Sequence, residues 1–445
     1  MIGAVTTTPL ASFRDRTRRA RIAAAFSLLV LAAVAVTACG GSAATAPAAS
    51  SVATSMATLA PTATPSPTAS PSPSPSPTVE PAAVSLLPVP DSRFSTAAPV
   101  ATLTDKATAA LEAALTKIRG LNNYPGVSAA VMFPDGSVWT GVAGYAVRSS
   151  KVAVTPDTLF SIGSITKTFV AAAVLRLANA GTVGLDDPLA KYVPTFPNAA
   201  AITVRMLLNH TSGVHDLFDS LGPRLLASPA AAWSVDQVLA GIGRPYFTPG
   251  HGYHYSNTDY VLLGLVIEKA TGKTVAAFIR SDLLDPLGLT HTFYQVTEKP
   301  VGQLAHGYKG KATAFTDVSA GSMIPFTAEA TAVGSAGAYV STASDIARWA
   351  AALYDGNVLD LADLSAMSDV WQTARYKPSW PYGLGFEETG LAGYTAWGHR
   401  GNLDGFWSAM WYLPDAHVSI VVLVNAGWAD VMAASSALAT AALAK

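Results

Sequence analysis

The sequence predicts an α+β domain in which both ends of the globular chain build one antiparallel sheet, flanked by helices, with an all-helical subdomain between them. Three observations lead there. Residues 126–133 and 137–141, rich in β-formers, flank Pro134-Asp135-Gly136, which reads as a hairpin. Residues 406–413 and 417–425 repeat that pattern around Pro414-Asp415-Ala416. Between these hairpins the chain is alanine-rich and mostly helix-like, and helices are also expected over 106–121 and 429–443.

The 445 residues allow one large domain or two ordinary ones, and the 50% hydrophobic content suffices for a sizeable core. The formal net charge is −1, and Lys and Arg form no basic stripe after the first 21 residues, so nothing electrostatic points to nucleic acid. Cys39 is the one cysteine and cannot form an internal disulfide.

The first forty residues read as an address. Arg14, Arg16, Arg18, Arg19 and Arg21 crowd the N-terminal side of an apolar run over 22–36, which is short for a membrane span. The segment Val36-Thr37-Ala38-Cys39-Gly40 resembles a bacterial lipobox, which implies a lipoprotein signal peptide over 1–38 and lipidation of Cys39. Cleavage near Ala38 by an ordinary signal peptidase is the alternative, and Arg18-Arg19 fits a twin-arginine signal poorly. Residues 39–100 carry this cysteine and then Ala, Ser, Thr and Pro, with the repeat PSPTASPSPSPSP at 65–77. Such a segment is too polar to collapse and serves as a disordered linker that reaches on the order of 100 Å when extended. The expected location is the outer face of the cell membrane, or secretion, for a globular part over 101–445.

The first chemical motif is Ser164-Ile165-Thr166-Lys167, ahead of an apolar helical run that ends near Asn179-Ala180-Gly181. A spacing of three places Ser164 and Lys167 on one helix face. A serine hydroxyl needs an adjacent base to become a nucleophile, and a lysine serves once desolvation lowers its pKa. By itself the pair also fits a Ser164 N-cap.

Two more motifs follow in order: Tyr255-Ser256-Asn257 after Pro249-Gly250, and His399-Arg400-Gly401 before a strand-like run. Ser-x-x-Lys, Tyr-x-Asn and His/Lys-x-Gly in this order resemble the serine β-lactamase and penicillin-binding-protein superfamily, nearest to its class C β-lactamases, DD-carboxypeptidases and related esterases. The segments 203–213 (TVRMLLNHTSG), 333–344 (VGSAGAYVSTAS), 382–386 (YGLGF) and 398–402 (GHRGN) extend the likeness across most of 101–445.

The resemblance implies a β-lactamase/transpeptidase-like fold and a serine hydrolase needing no cofactor or metal. Ser164 would form the acyl-enzyme and Lys167 would take or relay its proton. Tyr255, with its phenol pKa lowered by neighbouring cations, would protonate the leaving group, and Asn257 would hydrogen-bond Lys167 or substrate. The N–H groups of Ser164 and Asn402 would form the oxyanion hole. His399, Arg400, Gly401 and Asn402 would border the substrate, with Trp397 the best aromatic candidate for the cleft. Arg400 departs from the family's usual Thr or Ser, whose hydroxyl helps bind a substrate carboxylate. It leaves two options, a bidentate carboxylate contact or a solvent-facing side chain.

The expected activity is that of a D-alanyl-D-alanine carboxypeptidase-like peptidase or related amidase or esterase. A class C-like β-lactamase, or a β-lactam- or peptidoglycan-binding lipoprotein that does not turn over, is the alternative. The expected partners are a small-molecule or peptidoglycan-derived substrate and, through the lipid anchor, the membrane. The expected state is a monomer. Zinc at His251 and His254, or at His210, His215 and Asp216, is disfavoured because neither set has a helical His-Glu-x-x-His arrangement. No Gly-x-Ser-x-Gly elbow occurs, so an α/β-hydrolase lacks a nucleophile. Trp371, Trp380, Trp407 and Trp411 are expected in the core.

Overall fold

A computed structural model describes residues 102–319, 327–368 and 381–444. The signal segment, Cys39, the linker, Trp371 and Trp380 lie outside the described residues. Helix α1 (Asp105–Asn122) opens the fold, its first turn capped by Thr104, whose Oγ1 accepts from the Ala107 N–H at 3.1 Å. Strands β1 (Gly126–Met132) and β2 (Val138–Val147) form the first expected hairpin. The short strands β3 (Val152–Ala153) and β4 (Phe160–Ser161) lead to helix α2 (Thr166–Asn179).

The middle of the chain supplies α3 (Val204–Leu208), α4 (Leu217–Ala227), α5 (Val235–Gly241), α6 (Asn257–Thr271) and α7 (Val275–Ile279). Strands β5 (Phe293–Tyr294), β6 (Tyr308–Lys311) and β7 (Ala314–Asp317) follow, then α8 (Thr327–Val333), β8 (Tyr339–Ser341), α9 (Ala343–Tyr354) and α10 (Leu361–Met367). The last stretch holds β9 (Glu387–Leu391), β10 (Tyr394–Leu403), β11 (Phe406–Leu413), β12 (Val418–Val424) and α11 (Val431–Ala442).

The main sheet runs β3-β2-β1-β12-β11-β10-β9. Its two halves join where β1 meets β12 antiparallel, from Val127 opposite Val424 to Met132 opposite Ser419. The middle region is helical as expected, apart from the small sheet β4-β8-β5 and the hairpin β6-β7. Those strands of two to four residues are too short to show an alternating pattern.

Both faces of the sheet are covered, which explains the apolar run over residues 420–424 of β12. Val418, Ile420, Val422 and Val424 join the core beneath α1 and α11, whereas Val421 and Leu423 join the larger core on the helical side. Each such fully buried side chain contributes about 1.5–3 kcal/mol relative to exposure.

Helix α2 lies inside that larger core and is buried along residues 166–177. A helix covered on all sides is apolar all round rather than amphipathic. Its one buried arginine, Arg176, pairs with Asp282 at 2.7 Å and donates to the Val358 carbonyl at 2.9 Å. The turn that carries Ser164 therefore stands on a helix with little freedom to move.

Candidate active site

Residues Gly163–Ile165 form a single 3-10 turn between β4 and α2. Neither this turn nor α2 has a side-chain N-cap, so Ser164 is not consumed by capping. The turn is pinned from two sides. Ile162 N–H donates to the Tyr339 carbonyl at 3.1 Å, and Ser408 Oγ donates to the Ile162 carbonyl at 2.7 Å. Gly163 has φ +50°, and a Cβ there would lie 2.7 Å from the Asn402 nitrogen. Only glycine accepts both conditions. The backbone beside Ser164 thus lies directly against strand β10.

Lys167, one helical turn on, is fully buried, while Ser164 is partly open. Its Nζ reaches Ser164 Oγ at 3.0 Å, Asn257 Oδ1 at 2.8 Å and the Ala336 carbonyl at 2.8 Å. Burial pulls the amine down to about 7, against the opposing charges of Asp216, Asp259 and Glu387. It is therefore poised to exchange a proton near neutral pH.

Tyr255 completes the cluster. Its hydroxyl shares a hydrogen bond with Ser164, and Lys167 Nζ lies 4.9 Å from the centre of its ring. The sequence-based expectation of a lowered phenol pKa is corrected here. Burial raises it well above its ordinary value, and the charge of Glu387 adds to the rise. Lys167, the cation beside its ring, is itself half neutral near pH 7. The phenol accordingly stays protonated and suits a proton donor.

Strand β10 borders the site. Its pairing with β9 ends at Gly398 opposite Glu387, so among the described residues 399–403 have a strand partner only in β11. An open edge of this kind accepts an extended peptide. At Gly401 a Cβ would be driven into the Ile162 carbonyl and Ser408 Oγ. Asn402 turns its amide to the Phe406 carbonyl, at 3.0 Å, and leaves its backbone beside Gly163.

His399 is buried, and its ring meets the Tyr382 hydroxyl at 3.0 Å. Burial lowers its pKa to about 4, so it is neutral at physiological pH. Arg400 does not extend a free fork. Its Nε and Nη2 donate to the two carboxylate oxygens of Glu387 at 2.8 and 3.1 Å. The carboxylate-anchor reading of Arg400 is corrected on that geometry, because the protein supplies the carboxylate itself. Trp397 is also not brought to the serine. It packs with Phe386 and Tyr354, at centroid distances of 6.1 and 6.3 Å, and donates to Glu388 at 3.2 Å.

Three of the four histidines weighed as metal ligands have other side-chain or ring partners. His210 Nδ1 bonds Asp259 at 2.9 Å, and its ring packs 4.4 Å from that of Tyr255. His215 and His254 stack on either side of Tyr246, at 4.4 and 3.7 Å. Glu387 and Asp259 were not singled out from the sequence, and Tyr382 and Ala336 lay in segments quoted only for their likeness, with no role given to them. Asp216 was weighed only as a metal ligand. Each acts through a partner distant in sequence, and the one local clue was the TSG-x-x-D run at 211–216.

Comparison with known proteins places the chain in a family and a fold. The model of the family described as Beta-lactamase matches residues 111–444. Penicillin-binding protein 4* of Bacillus subtilis is 33% identical over 170 residues, which are 37% of this chain and 38% of that protein. The chain thus spans about two fifths of that relative's length. A D-stereospecific amidohydrolase from Streptomyces sp. superposes with a TM-score of 0.64 at 29% identity, covering 77% of this chain and 99% of the other. The D-amino acid amidase from Ochrobactrum anthropi SV3, solved with D-phenylalanine, also gives 0.64, at 28% identity over 75% of this chain and 98% of that one.

Proposed function

The chain belongs to the beta-lactamase family of serine hydrolases, and from that premise we propose that it hydrolyses D-amino-acid amides or short D-amino-acid peptides through an acyl-enzyme on Ser164. The observation that carries this reading is the setting of Lys167. Asn257 Oδ1 and the Ala336 carbonyl accept from its Nζ, so a neutral amine spends both N–H bonds on them. Its lone pair is left for the Ser164 hydroxyl, 3.0 Å away.

Ser164 Oγ attacks the substrate carbonyl carbon as Lys167 takes the hydroxyl proton. The carbonyl oxygen gathers charge beside the Ser164 and Asn402 N–H groups. Tyr255 gives its phenol proton to the departing amine and regains one from the Lys167 ammonium. Water then attacks the acyl carbon, its proton passes to the same pair, and Ser164 departs reprotonated. No redox change or external reactant other than water is needed.

The likeness to the D-stereospecific amidohydrolase and the D-amino acid amidase supports the choice of an amide with a D-configured acyl group. The Arg400–Glu387 pair favours a neutral substrate terminus over the carboxylate that a D-alanyl-D-alanine carboxypeptidase or a class C-like β-lactamase binds. The likeness to penicillin-binding protein 4* supports a second reading, stable acylation by penicillin. The discriminating experiment offers D-phenylalanine amide, its L enantiomer, a peptide ending in D-Ala-D-Ala and a penicillin, each beside a Ser164→Ala control. Ammonia released from the D-amide by the wild type alone is the expected result. A stable penicillin mass adduct with the amide left intact would replace this reading with the second. Release of D-Ala with the amide inert would assign a carboxypeptidase.

We also propose that this chemistry takes place outside the membrane, on a lipid anchor at Cys39 and the Pro-rich linker. The arginine-flanked apolar run ahead of Cys39 supports this. Partition of the expressed chain into detergent, abolished by Cys39→Ser, is the expected behaviour. Equal partition of both proteins would remove the anchor from the proposal.

A further inference from the structure

The segment 210–216 stands out in the sequence, yet none of its side chains touches Ser164 or Lys167 in the contacts described above. It grips the first turn of α6 residue by residue. Ser212 Oγ donates to Asp259 Oδ1, Thr258 Oγ1 donates to the His215 carbonyl at 2.8 Å, and Asp216 holds Asn257. That last contact is double. Asp216 Oδ2 accepts from both the backbone N–H of Asn257 and its side-chain Nδ2, the latter at 2.9 Å. The other oxygen, Oδ1, accepts from Phe218 N–H at 2.8 Å and caps α4. Ser256, at the N-cap position of α6, makes no capping bond of its own, so Asp216 also serves that helix.

An amide side chain has two ends of opposite character, and its neighbours decide which way it faces. Asp216 offers only lone pairs, so Asn257 must turn its NH₂ toward Asp216 and its oxygen toward Lys167. We propose that Asp216 is a positioning residue for the acylation step: by fixing the orientation of the Asn257 amide, it keeps the Lys167 lone pair aimed at Ser164. The inference rests on Lys167 acting as the base, as proposed above. Were the amide reversed, its N–H groups would compete with the Ser164 hydroxyl for that lone pair. Burial supports the assignment, since Asp216 is 6% exposed and shielded from competing water.

The test uses p-nitrophenyl acetate, an activated ester that reports on the serine and its base whatever acyl group the cleft prefers. Asp216→Asn and Asp216→Ser both keep a good N-cap for α4. Neither offers two lone-pair oxygens to Asn257 and Phe218 together. Asp216→Asn is expected to lower kcat roughly 10- to 100-fold, the loss of one hydrogen bond to a charged group, with KM changed by less than about twofold. In an Asn257→Ala background the same substitution should cost less than about twofold more, because the residue through which it acts is gone. The acid limb of the pH–rate profile should move to lower pH, since a carboxylate facing Lys167 has been neutralised. Should Asp216→Asn fail to fold, Asp216→Ser carries the same expectations. Unchanged kcat, or an equal loss with and without Asn257, would overturn the inference and leave the hydrolase reading standing. A wild type without Ser164-dependent esterase activity would overturn both.

Discussion

Arg400 and Glu387 lie on neighbouring strands and meet through two hydrogen bonds, so the cation nearest the motif glycine is already neutralised within the protein. If Arg400 is structural, Arg400→Ala should leave the ratio of activity on amide- and carboxylate-terminated substrates within about twofold of wild type. It should also destabilise the fold by about 1–3 kcal/mol, because Glu387 is left buried without its partner. Competition kinetics and chemical denaturation read the two effects. A collapse of carboxylate-substrate turnover alone would return Arg400 to the role of anchor.

The pH dependence of acylation should report Lys167. Its pKa lies near 7, and the base works only when neutral, so kcat/KM should rise with pH through about 7 and level off above it. The neighbouring histidines do not supply this limb: His399 titrates near 4 and His210 well below its ordinary range, both because of burial. The linked stability has a definite sign. Lys167 binds its proton more weakly in the folded than in the unfolded state, so its contribution rises between about pH 7 and 10 and is least favourable below 7. Lys167→Ala should cut turnover by roughly 100-fold or more with circular dichroism unchanged. Full activity in that variant would end the lysine-assisted scheme.

Gly401→Ala should disable the site by displacement rather than by loss of a functional group. The added carbon would meet the Ile162 carbonyl and Ser408 Oγ, pushing β10 away from the Ser164 turn. Overpacking of this kind costs about 1–3 kcal/mol, and a shift of an ångström at reacting atoms costs about 100-fold in rate. Thermal melts and steady-state kinetics should show both losses in the same variant, whereas Asn402→Ala, which keeps the backbone, should lose less than about tenfold.

Much of this was legible in the sequence because it is written locally or in ordered motifs. The hairpins at 126–147 and 406–424 carry their own turn residues, and a chain with both faces of its last strand covered shows a continuous apolar run. Ser164, Lys167, Tyr255 and Asn257 were found by order and type, and the structure brings all four together. What escaped was pairwise and non-local. Nothing near Arg400 in the chain marks Glu387 as its partner, thirteen residues back across a turn. Nothing near Asn257 points to Asp216, forty-one residues earlier. The direction of the Tyr255 shift depends on how much water the surrounding tyrosines exclude, a property that exists only after packing. Trp397 was placed by its nearness to His399, whose face of β10 it shares, but Phe386 and Tyr354 draw its ring into the packing against the core, contacts that only the fold creates.

The join between β1 and β12 also has a consequence in time. Val127 pairs with Val424, so roughly 300 residues of chain separate the two sides of the central ladder, and contacts this distant slow folding. Until the last strand arrives, β1 presents an unpaired apolar edge and the strand that flanks Ser164 has no finished sheet to stand on. A nascent chain that still lacks β12 is therefore expected to be inactive and prone to associate through that edge, and the site to be complete only when the last strand has docked.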